Sequence, residues 1–92
     1  MALSTTNYTV TTTAVQVSPT TGSVNGYTMI VQNNHASNIL YVGSSSSVTS
    51  SAYGVQLATG ASVSLDDLRP TDQVWVIASA ASTPVSTLAI LR

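Results

Sequence analysis

A chain of 92 residues makes one domain, and at that length folding buries only about 60–65% of the unfolded chain's surface, so its stability alone is modest. Five charged residues are 5% of the chain, against about 25% in ordinary globular proteins; two arginines and no lysine leave no phosphate-binding footprint, which argues against nucleic-acid binding. With no cysteine there is neither a disulfide framework nor a thiolate metal site, and no apolar run approaches the roughly 20 residues of a membrane helix.

Fifteen serines and fourteen threonines take the place of the missing charge. A free monomer with so little charge is poorly protected from self-association, so much of its surface is expected to lie inside an assembly. The missing staples point to folding in a reducing cytoplasm, or to support from partner subunits. Met1 to Asn7 has neither a basic nor an apolar region, which does not fit a signal peptide. Residues 1–6 are expected to form a flexible N-terminal arm with Leu3 as its one large apolar group, and residues 7–92 the folded domain.

The first strand is expected over Asn7–Val17. Tyr8, Val10 and Thr12 share one face, but Val15 and Val17 continue on odd positions, so a bulge or bend near Thr13-Ala14 must absorb the slip. Ser18-Pro-Thr-Thr-Gly22 is a turn. Gly26–Gln32 alternates as a second strand, and after the polar connection Asn33–Asn38 comes a short strand, Ile39–Val42, as a hairpin or as a corner between sheets. Gly43–Ser47 belongs to a loop. Tyr53–Leu57 and Ser62–Leu65 follow, the latter with Val63 and Leu65 inward, and Asp66–Asp72 reads as a charged turn in which Arg69 partners an aspartate. Val74–Ala78 is read as a central strand buried on both faces, with Trp75 in the core, and Val85–Leu91 closes the chain. About seven short strands with turn signals between them predict an all-β fold: a single small β-sandwich, jelly-roll-like or Ig-like.

Chemistry-bearing residues are few. Asp66, Asp67 and Asp72 match no calcium-loop spacing and read as a solvated turn. His35 is the one histidine and sits in an Asn-rich turn, where a surface residue is expected rather than a base or ligand. No serine lies in a Gly-x-Ser-x-Gly elbow and there is no glutamate, so neither acyl transfer nor a paired-carboxylate glycosidase has its residues. The reading is not an enzyme, with no cofactor and no metal. Asn7-Tyr8-Thr9 fits a glycosylation sequon but is read as chance. Trp75 and the four tyrosines are read as packing residues rather than as a sugar-stacking platform.

The succession Asn33–Gly43, Val48-Thr49, Tyr53–Leu57, Gly60–Leu65 and Val74–Ser79 resembles small virion proteins of tailed bacteriophages: a polar turn, a Tyr-Val-Gly strand, a threonine-bearing loop, a Gly-x-Ser-x-x-Leu segment and a closing hydrophobic strand. The resemblance runs from Asn33 to Leu91 and has no catalytic residues to carry over. It implies a capsid decoration (cement) protein located on the virion and made in the host cytoplasm. Its partner would be the major capsid protein, and its working form a homotrimer, with no nucleic acid and no membrane involved. The candidate partner-binding residues are Leu3, Ser44, Ser45, Ser46, Asp66, Asp67, Arg69 and Asp72. A carbohydrate-binding or adhesin module using the tyrosines and the Ser44–Ser51 loop is the alternative, with a tail or head–tail subunit third.

Overall fold

The computed structural model describes residues 2–18 and 25–92. They form eight strands and no helix: β1 (Ala2–Val10), β2 (Val15–Gln16), β3 (Tyr27–Asn33), β4 (Leu40–Gly43), β5 (Val55–Leu57), β6 (Ser62–Leu68), β7 (Trp75–Ala78) and β8 (Thr83–Leu91). Two four-stranded antiparallel sheets have the orders β1-β8-β3-β6 and β2-β7-β4-β5. The ladders β1–β8, β2–β7, β3–β6 and β4–β5 pair strands symmetrically about the β4–β5 connection. The chain is thus one long antiparallel ribbon, rolled so that β3 also meets β8 and β4 also meets β7. An eight-stranded double sheet wound this way is a jelly roll, which decides between the two sandwich types expected from the sequence.

The eighth strand comes from the phase slip after Val10. The backbone leaves the first sheet at Thr11, bends through Thr12 and Thr13, and enters the second sheet as β2. A strand that changes sheets has to reverse which of its side chains face the core, and a bend is how it does so. Ile39–Val42, expected at a hairpin or corner, is likewise a corner, since β3 and β4 belong to different sheets. The turn expected over Ser18–Gly22 lies, beyond Ser18, outside the described residues.

Alternation builds the core. Tyr27, Met29 and Val31 of β3, Val85 of β8, Leu40 and Val42 of β4, and Val76 of β7 are buried between the sheets. Val63 and Leu65 of β6 pack against them, as expected. Three expectations are corrected. Trp75 is only half-buried and lies outside the core cluster, because β7 alternates: Val74, Val76 and Ala78 point in while Trp75 and Ile77 point out. The expected loose arm is a paired segment, since β1 begins at Ala2 and residues 2–6 ladder with Leu91 through Thr87; hydroxyl-rich residues form a strand readily once a neighbour supplies the backbone partners. Met1 lies outside the described residues. Finally, Asp66 and Asp67 belong to β6 and not to a turn: between the pairs Met29–Leu65 and Tyr27–Leu68, these two residues on β6 oppose the single Thr28 on β3, a bulge that places Asp67 at φ 54°.

The two ends of the sandwich differ. At one end the connections β3–β4, β5–β6 and β7–β8 are bound together by side chains, and the β1–β2 connection joins them through the backbone bond from the Ala78 amide to the Thr11 carbonyl. Asn33, fully buried, donates through Nδ2 to the carbonyls of Asn38 (2.8 Å) and Leu57 (3.0 Å) and accepts from the His35 amide (3.0 Å). His35 Nδ1 accepts the amides of Ser37 and Asn38, and Asn38 Nδ2 donates to Thr83 Oγ1. The other end carries the β4–β5 and β6–β7 connections and both chain ends, and it is open.

Candidate functional site

The open end gathers the residues singled out from the sequence. Antiparallel winding puts Leu3, the Ser44–Ser46 loop and the Asp66–Asp72 segment there together, although they are far apart along the chain. They do not form one cluster. Ser44 and Ser45 border a cleft of about 540 Å³ between the sheets, walled by Val42, Val55, Leu65, Leu68 and Val74; Ser46 is exposed away from its lining. Val48 closes the loop from within: it is buried beside Gly43, where an added Cβ would meet the Val48 side chain at 2.7 Å. The loop is held by its own hydroxyls, Thr49 Oγ1 accepting the amides of Ser51 and Ala52.

Asp72, Asp67 and Arg92 make local contacts. Arg69-Pro70-Thr71-Asp72 is a tight turn with proline in its second position; the Asp72 carboxylate accepts the Arg69 amide at 2.8 Å, and the Asp72 amide donates to the Arg69 carbonyl. The expected pairing of Arg69 with an aspartate is therefore made by backbone, not by guanidinium. The ion pair among the described residues joins Arg92 to Asp67 at 3.2 Å, and Arg92 also donates to Thr28 Oγ1. Asp67 is almost fully exposed, so this pair is worth little to stability. No group of three potential metal ligands occurs among the described residues. Beneath the turn, the Tyr27 hydroxyl donates to the Asp72 carbonyl at 2.6 Å. Burial pushes the Tyr27 phenol above its usual value; a hydrogen bond with the Ser18 side chain opposes this, and the Asp72 charge adds to it.

The larger surfaces are the two outer sheet faces, which the sequence reading missed. Across the β1-β8-β3-β6 sheet, Leu3, Ile90 and Thr28 form one row, and Thr5, Leu88, Ile30 and Ser64 another. Leu3 is 70% exposed, and Ile30, Leu88 and Ile90 are half-buried. On the β2-β7-β4-β5 sheet, Tyr41 stands opposite Ile77 and Gln56, and Gly43 opposite Trp75. Tyr41 and Tyr53 have ring centroids 4.9 Å apart. The signal was present in the alternation: Ile30, Leu88 and Ile90 are exactly out of phase with the buried Met29, Val31 and Ala89.

No family model matches the chain. No curated protein matches it either. Among solved structures it is similar to a protein described under "Bacillus endospore appendages form a novel family of disulfide-linked pili", with a TM-score of 0.59 and 18% identity over 98% of this chain and 85% of that one. At that identity the likeness is one of fold.

Proposed function

We propose that the protein is a non-catalytic structural subunit of a virion, a capsid decoration protein that attaches to the outer shell of a tailed phage as a homotrimer. The observation that carries the reading is the outer face of the β1-β8-β3-β6 sheet. Leu3, Ile30, Leu88 and Ile90 sit there among serines and threonines, with Asp66 at the β6 edge beside Ser64 and the Asp67–Arg92 pair at the end of the face. Four strands at about 4.8 Å spacing and about 3.3 Å per residue make a face of roughly 500 Å². A stable interface buries about 800 Å² per partner, so one such contact is too small alone. Several copies, each in contact with its like and with the shell, supply the deficit by raising effective concentration. The mechanism is clamping: a subunit that bridges neighbouring major capsid proteins resists their separation.

The likeness to an appendage subunit supports the broader part of this reading, a building block of a surface assembly. The pili of that title are disulfide-linked; this chain has no cysteine, so the proposed assembly does without disulfides. Quantitative mass spectrometry of purified virions tests the proposal. Copies in a fixed ratio to the major capsid protein support it; absence from particles, or a handful of copies at a tail vertex, overturns the shell assignment.

A further inference from the structure

We propose that the outer face of the β2-β7-β4-β5 sheet is a binding platform for a neutral oligosaccharide. Trp75 and Tyr41 project from adjacent strands β7 and β4, Ile77 stands directly opposite Tyr41, and Tyr53 packs on Tyr41 toward the β5 edge. Tyr41 and Trp75 are diagonal cross-strand neighbours, which puts their attachment points roughly 7–8 Å apart. The glycine opposite Trp75 leaves the indole without a cross-strand neighbour on that side. The Tyr41 and Tyr53 rings are tilted 45° to one another, so with the half-buried Trp75 the three ring systems form a stepped aromatic strip on the outer face.

Two features point to a sugar as the occupant. The rings are fixed by neutral amides: Tyr53 Oη donates to Gln56 Oε1 and Trp75 Nε1 donates to Gln73 Oε1, each at 3.0 Å. Held this way, the rings need little ordering on binding, which is the costly step for a flexible surface. Each amide spends its oxygen on a ring and keeps its NH2 group for an outside acceptor, so two donors flank the stacking surface. Sugar C–H faces stack on rings, and sugar hydroxyls accept from such donors. The second feature is charge: none of the five charged residues lies in β2, β4, β5 or β7, so nothing on these strands attracts an ionic ligand. A protein partner needs no such alternation of ring and unspent amide.

The platform is on the opposite side of the sandwich from the proposed attachment face, and the inference stands apart from the decoration reading. The test titrates the purified protein with maltohexaose, cellohexaose and chitohexaose, following Trp75 fluorescence and heat. Saturable binding of at least one, weakened tenfold or more by Tyr53→Ala and by Trp75→Phe with circular dichroism and melting unchanged, supports the proposal. Lack of binding to all three at millimolar concentration overturns it, as does binding indifferent to both substitutions. Loss of particle binding in Tyr53→Ala, with no sugar bound by the wild type, reassigns the face to a protein interface.

Discussion

Replacing Asn33 by aspartate changes one NH2 group into an oxygen at almost constant volume, and the structure makes this a severe exchange. Asn33 is fully buried, and its Nδ2 points at two carbonyl oxygens, those of Asn38 and Leu57. Losing two donated hydrogen bonds costs about 2 kcal/mol at about 1 kcal/mol each. A carboxylate facing two acceptors away from water costs several kcal/mol more. A domain of this size has roughly 5–14 kcal/mol in total, so Asn33→Asp should lose about half of it or more at pH 7. Burial against acceptors raises the folded-state pKa of the new carboxyl, so the folded state holds a proton that the unfolded chain has released. The stability of the variant therefore falls as pH rises above about 4, by up to about 1.4 kcal/mol per unit, and recovers on acidification. Urea unfolding followed by circular dichroism between pH 4 and 8, with wild type and Asn33→Ala as references, measures this. Asn33→Ala should lose about 2–4 kcal/mol and add no pH dependence of its own. An Asn33→Asp protein as stable as Asn33→Ala, with the wild-type pH profile, would refute the buried donor network.

The phenol of Tyr27 is held above its usual value by burial, so the stability it confers is complete below about pH 10 and is lost as pH rises through the raised folded value. Tyr27→Phe should cost about 1 kcal/mol at neutral pH, through the bond to the Asp72 carbonyl, and should flatten the alkaline loss in melts between pH 9 and 11. Gly43→Ala should destabilise by about 1–3 kcal/mol in urea titrations, because its Cβ must displace the buried Val48. Val76→Ala should cost about 2 kcal/mol or more, and the larger truncation Trp75→Ala less than the 3–5 kcal/mol typical of a core tryptophan; acrylamide should quench native Trp75 readily.

Strand positions were readable because side-chain alternation follows from the backbone itself: Tyr27, Met29 and Val31 declare one face of β3 without help from the rest of the chain. The bend after Val10 was readable for the same reason, although a slip of phase does not say whether the strand kinks or changes sheets. Trp75 marks the limit of what alternation declares. An apolar run looks the same whether its second face is covered by the protein's own layers or kept for a partner, so Trp75 and Ile77 read as core. The same ambiguity hid Ile30, Leu88 and Ile90. Residues 2–6 were unreadable for another reason: their strand forms on the ladder offered by β8, which is some eighty residues away in sequence. Asn33, inside what read as a polar connection, gave no sign that it would be the buried pin of one end of the sandwich.

The claim that this protein clamps a shell through its β1-β8-β3-β6 face is tested most directly on particles assembled without it. Purified protein is added, and the temperature at which the shells release their DNA is followed with an intercalating dye. Wild-type protein should raise that temperature, whereas Leu88→Asp, which places a charge in the middle of the apolar face, should remain folded and have no effect. Shells that open at the same temperature with and without saturating wild-type protein would contradict the account.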